Sequence, residues 1–207
     1  MKTTDNIAVL IMAAGQSSRM KSVKQLLPWN NTNMLVHTLK TLLEVQRDRV
    51  FMVLGANSSL IENESKLHNY PVTLISNKTW DKGLGNSIAC GIKTILKQEM
   101  DIKGILICLA DQPLLTAHYY KNLSNTFKTN KFPIVATKYS NKYGVPAIFS
   151  TKIAQELLHL KEDVGARLLM SKYKEDILAL DAGEQLTDID TLETYQKLYK
   201  LHNTDKE

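Results

Sequence analysis

Stretches of strand length and stretches of helix length alternate almost throughout this chain of 207 residues. That alternation constrains the fold more than any single motif. A strand that returns to its sheet through a helix runs parallel to the one before it, and the helices then cover both faces of the sheet. Residues 7–12, 50–54, 72–75, 104–110, 133–137, 143–149 and 177–180 read as strands. Between them, Met34, Leu35, Leu39, Leu42 and Leu43 mark an amphipathic helix capped from the run 30–33. A more exposed helix is expected over 57–68, and another over 87–99 with Ile88, Ile92, Ile95 and Leu96 on its apolar side. Thr116 can cap the next helix; two short ones follow at 152–160 and 164–173, and Thr191 opens the last. The run 104–110 is the most apolar and belongs at the centre of the sheet. The expectation is an α/β fold of three layers around a mostly parallel central sheet. No repeat, low-complexity segment or linker divides the chain, so one domain over 1–207 is expected, with 201–207 a frayed polar tail.

Composition narrows the partners. Hydrophobic residues make up 43% and charged residues 23%, the balance of an ordinary globular protein. No apolar run reaches the length of a membrane span and the start lacks a signal-peptide pattern, which points to the cytoplasm and to no membrane partner. The net charge of +5 raises nucleic acid as a partner. Most lysines, however, are scattered among acids with no basic stripe interleaved with aromatics, so no nucleic acid is expected. Cys90 and Cys108 lie in apolar patterns without a CxxC and read as small buried hydrophobes in a reducing compartment. The five histidines are dispersed, which argues against a zinc site.

The exception to the scatter follows the first strand. Ala13-Ala14-Gly15-Gln16-Ser17-Ser18-Arg19-Met20-Lys21-Ser22-Val23-Lys24 is a small-residue turn that lets backbone amides approach a ligand, followed by fixed cations. No Asp or Glu occurs between Asn6 and Leu43 to neutralise Arg19, Lys21 and Lys24. That is the chemistry of a polyphosphate cradle. It is neither of the two common ones: GxxxxGK[ST] is absent, Gly15 has no second glycine two residues on, and Ile88 stands where a third glycine after Gly83 and Gly85 would fall. Asp111 follows the most apolar strand directly, at the carboxyl edge of the sheet where open α/β folds bind ligands. Asp188 and Asp190 lie between the last strand and the last helix; either could cap that helix. One or two aspartates beside a basic loop are how proteins hold Mg²⁺ on a nucleotide's phosphates, and Arg and Lys stabilise charge that grows there. From the residues alone the reading is a Mg²⁺-dependent enzyme that handles a nucleotide.

Seven segments, in order along nearly the whole chain, resemble the MobA-like nucleotidyltransferases, and within them the molybdenum cofactor cytidylyltransferases. They are 11–15 through Arg19-Met20, Lys24-Gln25-Leu26-Leu27-Pro28-Trp29, Gly83-Leu84-Gly85-Asn86-Ser87, Cys108-Leu109-Ala110-Asp111-Gln112-Pro113, Gly144-Val145-Pro146, Asp163-Val164-Gly165-Ala166-Arg167 and Asp188-Ile189-Asp190-Thr191. The resemblance implies a Rossmann-like nucleotidyltransferase fold whose opening loop, Ala13 to Ser18, wraps a nucleoside triphosphate. It implies Arg19 and Lys24 as triphosphate-binding and catalytic cations, Asp111 as the main Mg²⁺ ligand and Asp190 as the second, with Asp188 near enough to compete. Gly85, Asn86 and Ser87, with Asn77, match the part that holds ribose or base. Gly144, Pro146, Asp163 and Arg167 fall where the family receives its acceptor.

The implied reaction is attack by the terminal phosphate of molybdopterin, carrying molybdenum, on the α-phosphate of CTP, with pyrophosphate leaving and a molybdoenzyme receiving the product. Ala14 bears on the base: guanylyl-transferring relatives carry a second glycine there, and a methyl group crowds a purine more than a pyrimidine. Lys21 and Val23 depart from the family's usual Gly and Pro, so another acceptor, a sugar or alcohol phosphate, remains an alternative. A non-catalytic protein handling cofactor for a molybdoenzyme is a third reading, against which the joint presence of Lys24 and Asp111 speaks.

Overall fold

The structure is a computed structural model that describes residues 6–17, 20, 22–140, 142–160 and 165–203. The sequence expectations for Ser18, Arg19, Lys21 and Asp163, and for the end of the tail at 204–207, lie outside the described residues.

In chain order the elements are β1 (Ile7–Ala13), a small hairpin of β2 (Pro28–Trp29) and β3 (Thr32–Asn33), α1 (Met34–Leu43), β4 (Val50–Leu54), α2 (Ser58–Glu64), β5 (Thr73–Ser76), α3 (Leu84–Leu96), β6 (Gly104–Leu109), α4 (Ala117–Thr129), β7 (Ile134–Tyr139), β8 (Lys142–Ser150), α5 (Thr151–Ala154), α6 (Arg167–Lys172), β9 (Ile177–Asp181) and α7 (Leu192–Asn203). Seven strands form one sheet in the order β5-β4-β1-β6-β8-β7-β9, with β6 in the middle as its apolar run predicts. β1 pairs in parallel with β4 and β6, β4 with β5, and β7 with β9; β8 is antiparallel to both neighbours. The chain steps from β1 outward to β4 and β5, then returns to the other side of β1 with β6. That reversal opens a crevice beyond the carboxyl ends of β1 and β6, where such sheets hold ligands.

Alternation along the strands separates two cores. Ala8, Leu10 and Met12 of β1 join Ile105 and Ile107 of β6 under Ile88, Ile92 and Ile95 of α3. Ile7, Val9 and Ile11 face the other way, with Leu106 and Cys108, beneath Leu35 and Leu39 of α1 and Tyr120 and Leu123 of α4. A third cluster, Trp29, Met34, Ile189 and Tyr195, seats α7. Cys108 is buried and Cys90 half-buried; burial pushes both thiols up, as inert apolar neighbours require. Among the described residues, no helix is long and apolar enough to cross a membrane.

The caps explain where expected and observed helices agree or part. The Asn33 side chain accepts from Val36 N at 2.9 Å, and Thr116 accepts from Tyr119 N, so α1 and α4 begin as the sequence indicates. The expected helix at 57–68 breaks after Ser65 because Lys66 is left-handed, with φ 47°. α3 begins at Leu84, earlier than expected, because Gly83 at φ 99° turns the chain directly into it. Gly85, Asn86 and Ser87 therefore form its first turn. The expected helix at 152–160 is one α-turn continued as a 3₁₀ helix over Gln155–His159, and α6 begins only after Gly165, at φ 55°.

Close packing of α3 on the sheet depends on Gly91. A Cβ there would lie 2.7 Å from both Leu10 methyls and 2.9 Å from Val53 Cγ2. Gly91→Ala is expected to destabilise the fold by about 1–3 kcal/mol through overpacking, despite alanine's better helix propensity. A urea titration with unchanged slope and a lowered midpoint checks it.

Candidate active site

A cavity of about 480 Å³ fills the crevice between β1 and β6. Its walls come from Ala13 at the end of β1 with Ala14 and Gly15 after it, Ala110 and Asp111 after β6, and Gly83 and Ser87 at the start of α3. The register joins the two strand ends, since Ala110 N donates to Met12 O at 3.1 Å.

Asp111 and Lys24 meet at this cavity. Lys24 Nζ donates to Asp111 Oδ2 and, at 3.2 Å, to Asp190 Oδ1. Burial alone would lower the Lys24 pKa; the charges and hydrogen bonds of Asp111 and Asp190 outweigh it, and the ammonium is held above its ordinary value. Ile189 N donates to Asp111 O at 3.0 Å, so the two acidic segments are stitched together by backbone. Asp190 therefore faces Lys24, while Asp188 turns to Gln112, whose Nε2 donates to Asp188 Oδ1 at 2.7 Å. Burial raises the Asp188 carboxyl above its usual range; the Gln112 bond opposes this and the charges of Asp111 and Asp190 add to it.

Gln25 explains how a loop of small residues keeps its shape. This side chain is 3% exposed, and its amide donates to Gly15 O at 3.0 Å and Ala13 O at 3.2 Å while its Oε1 accepts from the Ser17 hydroxyl at 3.2 Å. Ser17 is left-handed, with φ 59°. Gln16 also lines the cavity. On the opposite wall the buried Asn77 amide donates to Ser87 Oγ at 2.9 Å and Asn86 Oδ1 at 3.2 Å, and Thr79 caps the same network. Of the expected nucleotide-binding residues, Ala13, Ala14, Gly15, Gln16, Lys24 and Ser87 line the cavity, whereas Ser17, Asn77, Gly85 and Asn86 do not. Gly85 is buried in the first turn of α3.

A second cavity, of about 260 Å³, adjoins the first across Leu84 and Leu109. Gly144 and Arg167 line it, together with Tyr139, Lys142 and Asp188. Pro146 does not: it is buried behind the wall, and its carbonyl accepts from Thr137 Oγ1 at 2.6 Å.

Four contributors escape the sequence reading. Gln25 and Gln112 are buried amides whose value lies in partners distant in sequence. Tyr139 bridges Gln112 and Val145. Trp80 lines the first cavity and packs where a Cβ on Gly55 would lie 2.5 Å from its own Cβ and 2.7 Å from Ala14 O. The signal for Gln25 is present in Lys24-Gln25-Leu26-Leu27, a lone amide beside an apolar pair; Trp80 and Tyr139 give none.

A divalent cation fits the donor set. Asp111 Oδ1 is buried with no hydrogen-bond partner among the described residues, an orphaned carboxylate oxygen beside a cavity. Asp111 and Asp190 offer only hard oxygen donors, the preference of Mg²⁺ and Mn²⁺. Among the described residues no cluster of three or more His, Cys, Asp or Glu could hold an ion, so two carboxylates leave the remaining coordination to phosphate oxygens and water.

The sequence profile of the MobA-like NTP transferase domain matches residues 9–177, and the chain belongs to that family of nucleotidyltransferases. Purine catabolism protein PucB of Bacillus subtilis (strain 168) is 30% identical over 198 residues, 90% of this chain and 92% of PucB. Nicotine blue oxidoreductase of Paenarthrobacter nicotinovorans is 24% identical over 203 residues, 93% of this chain and 94% of that protein. Rv0371c of Mycobacterium tuberculosis H37Rv, solved in complex with manganese, superposes with a TM-score of 0.72 at 25% identity, covering 94% of this chain and 98% of Rv0371c. A nucleotidyl transferase from Methanothermobacter thermautotroptrophicus, Mth528, gives 0.81 at 19% identity, covering 97% and 99%, a likeness of fold.

Proposed function

We propose that this nucleotidyltransferase transfers CMP from CTP to the terminal phosphate of molybdenum cofactor and releases pyrophosphate, with Mg²⁺ as its cofactor, in the cytoplasm, for a molybdoenzyme. The observation that carries the reading is the ammonium of Lys24 clasped between Asp111 and Asp190 at the mouth of the β1–β6 cavity. A fixed cation and two carboxylates beside a glycine-bearing loop are the parts that phosphoryl transfer needs, since that chemistry relies on position and electrostatics.

An oxygen of the acceptor's phosphate forms a bond to the α-phosphorus of CTP as the bond from that phosphorus to the β-phosphate oxygen breaks. Pyrophosphate carries away the electron pair. Ala13, Ala14 and Gly15, held by Gln25, present backbone to the triphosphate, and Lys24, with Arg19 from outside the described residues, offsets the charge that grows on it. Asp111 and Asp190 would hold Mg²⁺, which when bound neutralises phosphate charge without proton exchange. The second cavity, mixed in lining with Arg167 and Lys142 at its edge, receives the acceptor. The relative named nicotine blue oxidoreductase raises a redox reading; the Lys24–Asp111–Asp190 cluster favours transfer, because hydride movement calls for no cation between two carboxylates.

Ala14 is 6% exposed and lines the first cavity with Trp80, so its methyl narrows the space for a base and supports CTP. In a nucleotide panel with Mg²⁺ and molybdenum cofactor, pyrophosphate release is expected with CTP well above GTP, and Ala14→Gly shifts the ratio toward GTP by about tenfold. Equal use of CTP and GTP by the wild type overturns the base assignment; release with a sugar or alcohol phosphate in place of the cofactor overturns the acceptor.

A further inference from the structure

The residue after Asp111 does more than continue the turn. Gln112 is 1% exposed, and its single Nε2 donates to Asp188 Oδ1 at 2.7 Å and to the Tyr139 hydroxyl at 2.9 Å. That hydroxyl donates in turn to Val145 O at 2.6 Å. The Tyr139 ring lies where a side chain on Gly144 would collide with it. Asp188, Tyr139, Gly144 and Val145 all line the second cavity, and they come from the β9–α7 connection, β7 and β8. One buried amide therefore ties together walls contributed by separate parts of the sheet, one residue away from Asp111.

We propose that Gln112 is a positioning residue for the acceptor: through Asp188 and Tyr139 it sets the separation of the second cavity's walls and the line along which the acceptor's phosphate meets the first cavity. The inference rests on the reading of that cavity as the acceptor site. A glutamine suits the task because one planar amide offers two N–H donors, one for a carboxylate and one for a phenol. Glutamate would offer none and would face Asp188 with like charge. Gln112 Oε1 has no hydrogen-bond partner among the described residues, so the whole hydrogen-bonding contribution of the side chain passes through Nε2. Methionine keeps the length and removes only that.

The test is steady-state kinetics of Gln112→Met and Tyr139→Phe in both substrates, with Mg²⁺, CTP and molybdopterin carrying molybdenum, alongside calorimetric CTP affinity without acceptor. Each variant removes two hydrogen bonds and is expected to raise the acceptor KM by at least about tenfold, with the CTP KM and acceptor-free CTP affinity within about twofold of wild type. A role confined to stability would lower the yield or melting temperature and leave both KM values in place. Acceptor KM within about twofold of wild type, or an equal loss of CTP affinity, overturns the proposal. If Gln112→Met does not fold, Tyr139→Phe, which keeps the ring and frees Val145 O, decides it alone. If the wild type turns over no molybdopterin, the acceptor reading fails by itself, and the same ratio is read on whichever sugar or alcohol phosphate the wild type accepts; turnover with none of them overturns both.

Discussion

Asp111→Ala is expected to lower pyrophosphate release by at least about a thousandfold, the scale of losing a preorganised charge at a reacting phosphate. Two effects combine in that loss. The variant removes the buried oxygen best suited to a divalent cation, since Asp111 Oδ1 lacks a hydrogen-bond partner among the described residues. It also removes a principal anchor of Lys24, whose ammonium then rests on Asp190 at 3.2 Å. The fold is expected to survive, because the connection after β6 keeps its backbone bonds, Ala110 N to Met12 O and Ile189 N to Asp111 O. Pyrophosphate release and a thermal melt, run on the same preparation, separate the two. Activity within a few-fold of wild type would sink the metal assignment.

Lys24→Met acts in two directions at once. Turnover is expected to fall about a hundredfold, because the ammonium that offsets charge growing on the phosphates is lost. Binding of Mn²⁺ in the absence of nucleotide is expected to tighten. The ammonium lies on Asp111 and Asp190, the same carboxylates a divalent cation would take, so the lysine and the ion are expected to compete for them. The lysine stays charged throughout: its folded pKa lies above the unfolded value, so the ion pair is complete below the ordinary lysine range and is lost only as pH rises through the folded value. A calorimetric Mn²⁺ titration of wild type and variant checks this at neutral pH. Weaker Mn²⁺ binding by the variant would mean that Lys24 supports the ion site and does not compete for it.

Asp111, Lys24 and the Ala13-Ala14-Gly15 turn are legible in the sequence because chemistry and position coincide there. Each follows or faces the end of an apolar run, and polar residues at such ends have few structural duties. Asp190 and Asp188 are harder. Two residues apart in one connection, they read alike until the fold turns one toward Lys24 and the other toward Gln112. Pro146 carries a family motif yet faces the core, while Tyr139, outside every motif, lines the second cavity.

By itself the sequence determined the layers, the central place of β6 and the edge of the sheet where the candidate site lies. Hydrophobic periodicity is local, and the residue that ends a buried run is local too. Tertiary structure alone decided that β8 runs against its neighbours, that Gly83 starts α3 early enough to bring Ser87 to the cavity, and that Gln25, Gln112 and Tyr139 brace the two cavities. A strand's direction and a buried amide's role depend on partners far along the chain, and Gln112 finds Asp188 across 76 residues. Such hydrogen bonds form only once the backbone has brought their ends together, so they leave no period or spacing in the sequence to read.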